Sequence, residues 1–221
     1  MIKRKVLVTG GSGGIGQSIV ERLSGDPRYE VYAPAREDLD LESRESIETY
    51  FSGVSDYDIV INNAGINFPE SIEDIVEKHI QASLNINLVA PLLIIQKCVP
   101  HMKQQRFGRI VNVSSIWGVR SKEKRTLYSA TKFALNGVTK SLCRELGPFN
   151  ILVNSICPGY VNTSLTQRNV TPEEQETIKK EIPLMRFAEP AEIAESIAFM
   201  ISENNSYMTG QTLIVDGGFL A

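Results

Sequence analysis

The chain has 221 residues, of which 42% are hydrophobic, and a formal net charge of −3. A chain of this length fits one α/β domain, since such domains commonly run to about 200 to 250 residues. The charge balance provides no basic field, so nucleic acid and anionic membrane surfaces are not expected as partners.

The three cysteines and the N-terminus indicate where the protein works. Cys98, Cys143 and Cys157 are odd in number and widely separated, which favours reduced thiols over a disulfide framework or a metal cluster. Only three apolar residues separate Lys5 from Thr9, fewer than the roughly 7 to 15 of a signal-peptide core. No uncharged apolar run approaches the roughly 20 residues that cross a bilayer. We therefore expect a soluble, cytoplasmic protein without a metal.

Strand-like apolar runs alternate with helical patterns along the chain. We predict strands near residues 4–9, 30–35, 58–62, 108–113, 151–156 and 212–216. The longest helices are predicted at about 72–105 and 126–147. This alternation is typical of a parallel sheet with helices on both faces.

The first strand leads into a glycine-rich turn and then a helix. Val6–Val8 is followed by Thr9–Gly16 and by the helical pattern Gln17–Leu23. Glycines allow a ligand to approach the backbone, and a helix N-terminus favours a pyrophosphate. The order matches a dinucleotide-binding turn, although the glycine spacing is G-x-x-x-G-x-G rather than G-x-G-x-x-G. Read alone, the segment could also be an ordinary glycine-rich turn.

Tyr128 and Lys132 are four residues apart in a predicted helix, so their side chains share one face. A cation near a phenol lowers its pKa from the usual value of about 10 and allows the phenol to exchange a proton with an alcohol or ketone. Ser115 lies thirteen positions before Tyr128 and ends a predicted strand. Read alone, such a pair is usually a half-buried aromatic residue beside a solvated charge.

Five further segments complete a recognisable set. They are Asn62–Gly65, Ile86–Leu88, Val113–Ser115, Cys157–Thr163 and Val215–Gly218. With the glycine turn and the Tyr128–Lys132 pair, the chain resembles the classical short-chain dehydrogenases/reductases over essentially its whole length. The resemblance implies a Rossmann-type, doubly wound parallel sheet of about seven strands in a three-layer αβα arrangement. It also implies one NAD(P)-binding domain over residues 1–221, with a substrate-binding loop at about 157–189.

The resemblance implies a role for each of four residues. Tyr128 is the acid in reduction and the base in oxidation, and Ser115 holds the substrate oxygen. Lys132 lowers the pKa of Tyr128 and hydrogen-bonds the nicotinamide ribose, while Asn87 orders a water that passes protons to Lys132. Read alone, Asn87 could be a helix-kink asparagine beside Pro91.

The resemblance also assigns residues to the cofactor. These are Gly10, Ser12, Gly13, Gly14, Ile15, Gly16, Arg36, Asp40, Leu41, Asn63, Ala64, Gly65, Tyr128, Lys132, Pro158, Gly159, Val161 and Thr163. The second strand ends at Ala35, and Arg36 follows it with a guanidinium that suits the 2′-phosphate of NADP. NAD remains possible, because Glu37 and Asp38 follow Arg36 and Gly13 stands where many NADP enzymes carry a basic residue. The usual helix after the second strand is missing between Arg36 and Asp40.

The substrate is less well defined by the sequence. Trp117, Tyr160 and Leu165 are candidates for the substrate pocket, with Val119 and Met185 as further wall residues, although all five could be plain packing. The sequences of the motifs are similar to those of 3-oxoacyl-carrier-protein reductases. A basic cluster at Arg120, Lys122, Lys124 and Arg125 could dock an acidic partner or be a solvated loop.

We predict a ketoreductase that transfers hydride between NADP(H) and a carbonyl or secondary alcohol substrate. The alternatives are a 3-oxoacyl-carrier-protein reductase and a catalytically idle relative that acts as a nucleotide-binding sensor or scaffold. The resemblance further implies a homo-oligomer, a dimer or a tetramer.

Overall fold

The computed structural model describes residues 3–221 and is built around a parallel sheet. The strands are β1 (Arg4–Val8), β2 (Tyr29–Tyr32), β3 (Ile59–Asn62), β4 (Gly108–Val113), β5 (Ile151–Pro158) and β6 (Thr212–Val215). Their spatial order is β2-β1-β3-β4-β5-β6, and every neighbouring pair is parallel. The Rossmann-type sheet is confirmed, with six strands instead of about seven. Residues 33–43 connect β2 to the next helix without forming a further helix and strand, so β2 is the edge.

Residues 3–221 contain eight α-helices. They are α1 (Gly14–Ser24), α2 (Arg44–Gly53), α3 (Glu77–Leu84), α4 (Ala90–Gln105), α5 (Thr126–Leu146), α6 (Ser164–Asn169), α7 (Pro172–Glu181) and α8 (Pro190–Ile201). The predicted helix at 126–147 is confirmed as α5. The predicted helix at 72–105 begins only at Glu77, and a π-helical turn at Asn85–Val89 separates α3 from α4.

Alternate strand residues point into two separate cores. Val6 and Val8 pack with α1 and α8 on one face of the sheet, whereas Leu7 packs with α2 and α4 on the other. Side chains in a strand alternate between faces, so one strand feeds both cores. This arrangement confirms the three-layer αβα fold. The continuous helical segment Glu77–Gln105 would satisfy a membrane span by length and composition, but α4 packs its apolar side chains in the second core.

A buried polar network fixes α5 against the sheet. Asn62 donates to Asn112 at 2.9 Å, and Asn112 donates to Thr139 of α5 at 2.9 Å. The Thr139 hydroxyl also lies 2.7 Å from that of Ser155 on β5. Buried polar groups need partners, so this chain of bonds specifies one register of α5 relative to β3, β4 and β5. It thereby positions the residues at the N-terminal end of α5.

The predicted loop at 157–189 carries two helices, α6 and α7. In the middle of this segment, Thr171 caps α7, accepting from Glu174 N–H, while the Glu174 carboxylate accepts from Thr171 N–H at 2.8 Å. Pro172 occupies the first helical position. This reciprocal capping gives α7 a defined start beside the cleft described below.

Candidate active site

A cleft of about 610 Å³ opens where the strands end at their carboxyl side. This volume is within the usual range for small-molecule and cofactor sites, and the position is where doubly wound sheets bind ligands. The predicted cofactor residues that line it are Gly10, Ser12, Gly13, Gly14, Ile15, Arg36, Asp40, Leu41, Asn63, Ala64, Gly65, Tyr128, Lys132, Pro158, Gly159, Val161 and Thr163. Among the predicted cofactor and catalytic residues, Gly16 and Asn87 do not line the cleft.

The glycine turn has the backbone that a phosphate cradle needs. Gly10 and Gly14 have φ of +67° and +54°, a backbone conformation that is strained for residues with a side chain. Gly13 has open space where a Cβ would lie. α1 begins at Gly14 without a side-chain cap, so its first N–H groups remain available. Gly16 has another role: a Cβ there would lie 2.0 Å from the Gly10 carbonyl oxygen, so Gly16 lets α1 pack against the turn. These features fit the pyrophosphate of a dinucleotide.

Thr9 locks the glycine turn to the loop after β3, a role that the sequence analysis did not assign. Its Oγ1 accepts hydrogen bonds from the N–H groups of Asn63 and Ala64 at 3.0 and 3.1 Å. Asn63 Nδ2 donates in return to the carbonyls of Thr9 and Gly10. The sequence feature that could have indicated this role is a threonine directly after the first strand. The two loops therefore form one rigid wall of the cleft.

The adenosine end of the cleft differs from the expected strand end. β2 ends at Tyr32 and not at Ala35, because Pro34 has no N–H for the sheet ladder. The side chain of Ala33 abuts Gly11, at 2.7 Å from where a Cβ would lie. The residue that directly follows β2, Ala33, is therefore small and uncharged, without the carboxylate that binds the 2′-hydroxyl of NAD.

Arg36 lines this end of the cleft, whereas Glu37 and Asp38 do not. Its side chain is 72% exposed and lies 3.5 Å from Asp40 and 3.3 Å from Glu42. Exposed ion pairs contribute little free energy, so both carboxylates can be exchanged for a stronger anionic partner. The predicted absence of a helix between Arg36 and Asp40 is confirmed, as residues 33–43 form no helix or strand.

Tyr128 and Ser115 lie at the other end of the cleft. Ser115 follows β4, and its Oγ accepts from Trp117 N–H at 3.1 Å, which caps a short 3₁₀ helix. Burial raises the pKa of Tyr128 to about 12, while the Ser115 hydroxyl and the Arg125 guanidinium oppose that rise. The phenol is therefore protonated at neutral pH and can act as a proton donor.

Lys132 lies beneath Tyr128 and is only 2% exposed. Its Nζ donates to the carbonyl of Val113 at 2.8 Å and is 5.5 Å from the centre of the Tyr128 ring. Burial lowers the pKa of Lys132 to about 8. In this structure burial outweighs the two groups that lower the pKa of Tyr128, which are Ser115 and Arg125. That Lys132 also lowers the pKa of Tyr128 stays a prediction.

Asn87 is 1% exposed and lies in the π-helical turn, behind the cleft wall. Its amide makes a two-way clamp on Ile66, accepting from the N–H and donating to the carbonyl at 2.9 Å each. It also donates to Thr131 of α5 at 3.1 Å. π-turns often mark functional sites. The π-helical turn precedes Pro91, as expected if Asn87 were a helix-kink asparagine. The Asn87 side chain nevertheless holds the Ile66 backbone, which forms part of the cleft wall.

The three substrate candidates line the same end of the cleft: Trp117, Tyr160 and Leu165. Trp117 and Tyr160 meet edge to face at 6.2 Å. Val119 and Met185, the further candidates, do not line the cleft and are 40% and 61% exposed. Five further residues of loop 157–189 also line the cleft: Ser164, Thr166, Arg168, Asn169 and Val170.

Two polar residues that line the cleft were not predicted from the sequence to belong to the site. Arg125, which had been grouped with a surface basic cluster, is 5% exposed and lines the cleft, unlike exposed Arg120, Lys122 and Lys124. Asn67 also lines it, with a buried Oδ1 that has no hydrogen-bond partner. Residues 3–221 bring together no group of three or more metal-ligating His, Cys, Asp or Glu side chains.

Comparison with known proteins gives a consistent result. The family model described as enoyl-(acyl carrier protein) reductase matches residues 12–220. A 3-oxoacyl-[acyl-carrier-protein] reductase of Aquifex aeolicus is 37% identical over 217 residues, covering 96% of this chain and 86% of the relative.

Two solved structures extend the comparison. A 4-hydroxyisoleucine dehydrogenase mutant complexed with NADH and succinate superposes with a TM-score of 0.92 at 28% identity, covering 98% of each chain. A putative NAD(P)-dependent gluconate 5-dehydrogenase from Beutenbergia cavernae with bound NADP has a TM-score of 0.88 at 27% identity, covering 98% of this chain and 96% of that one. The chain belongs to the classical short-chain dehydrogenase/reductase family and is an NAD(P)-dependent oxidoreductase that acts on CH–OH and C=O groups.

Proposed function

We propose that Ser115, Tyr128, Lys132 and Asn87 form the proton-handling site of a carbonyl reductase. The observation that carries the proposal is the convergence of Ser115, Tyr128 and Lys132 on one end of a cleft whose other end fits a dinucleotide. The cofactor bound there supplies the hydride in reduction and accepts it in oxidation. The chain's own residues then have to hold the carbonyl oxygen and deliver a proton to it.

Tyr128 donates that proton, because its phenol is protonated at neutral pH and lies in the cleft. Ser115 holds the substrate oxygen with its hydroxyl. Lys132 stabilises the phenolate that forms when the proton leaves, since its ammonium is the buried cation below the ring. Asn87 holds the Ile66 backbone and Thr131 in place, and the proposed relay of protons to Lys132 passes beside it.

The proposed cofactor is NADP(H), with NAD(H) as the alternative. Arg36 lines the adenosine end with an exposed guanidinium, and the residue that ends β2 carries no carboxylate. The glycine turn, Asn63–Gly65 and Pro158–Thr163 would hold the rest of the dinucleotide. The relatives with solved structures include one with NADH and one with NADP, so both cofactors occur in this fold.

The proposed reaction is the reduction of a ketone to a secondary alcohol, or its reverse. The aromatic wall of Trp117 and Tyr160 suits an organic carbonyl compound. A 3-oxoacyl thioester on a carrier protein is the second candidate, supported by the Aquifex aeolicus relative. The third, an idle sensor or scaffold, is disfavoured because the chain retains all four proposed catalytic residues.

The proposal includes a setting for the enzyme. Residues 1–221 form one cofactor-binding domain with a substrate loop at 157–189, and the protein works in the cytoplasm as a homo-oligomer. Exposed apolar residues on the outer helices, such as Leu92 of α4 and Phe133 of α5, support self-association. Light scattering coupled to size exclusion tests the oligomer, and a monomer at micromolar concentration would contradict it.

One assay tests cofactor and substrate together. A panel of ketones, oxo acids and 3-oxoacyl thioesters is reduced with NADPH and with NADH, and cofactor oxidation is followed by absorbance. We expect turnover of small ketones with NADPH above NADH. Turnover of the carrier-bound thioester alone would favour the second candidate. Cofactor binding without turnover of any substrate would favour the idle alternative.

A further inference from the structure

Arg125 is a buried cation without a partner. Its side chain is 5% exposed, and both Nε and Nη1 are buried with no hydrogen-bond partner. Within residues 3–221, no carboxylate lies within 4.0 Å of it. Burying a guanidinium with unsatisfied donors costs free energy, so such a group calls for an explanation.

The neighbouring charges do not supply that explanation. Glu123 and Glu174 act on Arg125 only at a distance, together with the phenols of Tyr128 and Tyr160. The Glu174 carboxylate is already engaged in capping α7, through its bond to Thr171 N–H. Burial consequently lowers the pKa of Arg125, but a guanidinium stays charged at any pH that the protein tolerates.

The position of Arg125 points to a ligand. It lines the main cleft and also an adjoining cavity, whose other lining residues include Lys122, Glu123 and Glu174, so Arg125 lies between the two. It is the N-cap residue of α5, three positions before Tyr128. Its guanidinium is close enough to the Tyr128 phenol to lower the pKa of that phenol by charge, so Arg125 lies near the proposed proton donor.

We propose that Arg125 binds an anionic group of the substrate, and specifically a carboxylate near the reacting carbonyl, so that the preferred substrates are oxo acids or the corresponding hydroxy acids. This inference rests on the proposed function. A guanidinium offers planar, paired donors that match a carboxylate. The proximity of Arg125 and Tyr128 places the anionic group close to the carbonyl. A neutral ketone leaves the buried donors of Arg125 unsatisfied.

The test compares acids with their esters. The wild-type enzyme is assayed for reduction of acetoacetate and 4-oxopentanoate, and of their ethyl esters, with the preferred cofactor. We expect kcat/KM for each acid to exceed that for its ester by about 10- to 100-fold, since hydrogen bonds to charged groups contribute that much. An acid-to-ester ratio near one or below overturns the proposal.

Arg125→Gln and Arg125→Lys assign the preference to this residue. In Arg125→Gln the acid-to-ester ratio should collapse towards one through a higher KM for the acids, and Arg125→Lys should restore part of it. The matched control, Arg120→Gln, removes an exposed positive charge five positions away and should leave the ratio unchanged. If Arg125→Gln lowers kcat for acid and ester equally, Arg125 acts on Tyr128 and not on the substrate, and the proposal fails.

A binding assay separates this proposal from the proposed function. Butyrate, which carries no ketone, should raise the melting temperature of the cofactor-loaded wild type and not that of Arg125→Gln. Inorganic phosphate at the same concentration distinguishes a carboxylate site from a phosphate site, and stabilisation by phosphate alone overturns the carboxylate assignment. Absence of turnover with any substrate defeats the proposed function, whereas absence of stabilisation by butyrate defeats the role of Arg125.

Arg125→Met adds a readout that needs no substrate. Replacing an unpaired buried cation with an apolar side chain of similar length should raise the melting temperature by a few degrees, because the cation is retained for binding at a cost in stability. A marked fall in melting temperature would show that Arg125 is a structural residue and would contradict the proposal.

Discussion

The two ends of the cleft are built in opposite ways. At the carbonyl end, Lys132 and Asn87 are almost fully buried, and their side-chain hydrogen bonds join elements that are packed together. At the adenosine end, Arg36 is mostly exposed and is paired only with two exposed carboxylates. Packed polar groups are held in one geometry, whereas exposed ion pairs contribute little free energy and can exchange partners. Changes at the carbonyl end should therefore affect turnover and stability, and changes at the adenosine end should affect cofactor selectivity.

The largest effect is expected for Tyr128→Phe, which removes the phenolic hydroxyl and keeps the ring. We expect kcat to fall by about 10²- to 10⁴-fold, the range supplied by general acid catalysis, with the cofactor Kd nearly unchanged. Steady-state kinetics and cofactor fluorescence titration measure the two quantities. Retention of most of the activity would remove the proton role from Tyr128.

Asn87→Ala tests how far the carbonyl end depends on its packing. The change strands the N–H and carbonyl of Ile66, and a buried unsatisfied group costs about 1 to 3 kcal/mol. We expect the free energy of unfolding in urea to fall by about 2 to 4 kcal/mol, with a lower kcat. Asn85→Ala, in the same π-turn, is the matched control, because the Asn85 side chain makes only a 3.4 Å contact to the Glu42 carbonyl. Equal losses for both variants would contradict the clamp.

The charge of Lys132 should make stability depend on pH. Its pKa is lowered to about 8 in the fold, from 10.5, so between pH 8 and 10.5 the unfolded chain binds more protons and stability rises with pH. Relative to Lys132→Met, the wild type should gain about 1 to 3 kcal/mol between pH 8 and 10. Urea unfolding at several pH values measures the difference in free energy of unfolding between the two proteins. A difference that is independent of pH would mean that the ammonium is not destabilised by burial.

The smallest effect is expected at the adenosine end. Arg36→Ala should weaken NADPH about 10-fold and NADH far less, because only NADPH offers a phosphate to the guanidinium. Glu42→Gln, which removes one of the two carboxylates paired with Arg36, should strengthen NADPH by a few-fold. Titration with both cofactors measures the changes. Equal weakening of both by Arg36→Ala would remove Arg36 from the phosphate site.

Most of the fold could be predicted from the sequence because its signals are local. The strand–glycine–helix order at Thr9–Gly16, the capped start of α7 and the span of α5 depend on periodicity and on single residues such as Pro172. The end of β2 was misplaced because Pro34 stops a ladder that apolar residues alone would extend. Val119 and Met185 were misassigned because a sequence does not show which way a loop faces.

The sequence by itself determined the chemistry of this protein: a phenol, an ammonium and a hydroxyl at family spacing, with a turn that accepts a pyrophosphate. Only the tertiary structure decided the burial of each group, because burial depends on elements far apart in the chain. Burial raised the pKa of Tyr128 and lowered that of Lys132. The tertiary structure also separated Arg125 from its exposed neighbours and placed it, unpaired, near the reacting phenol.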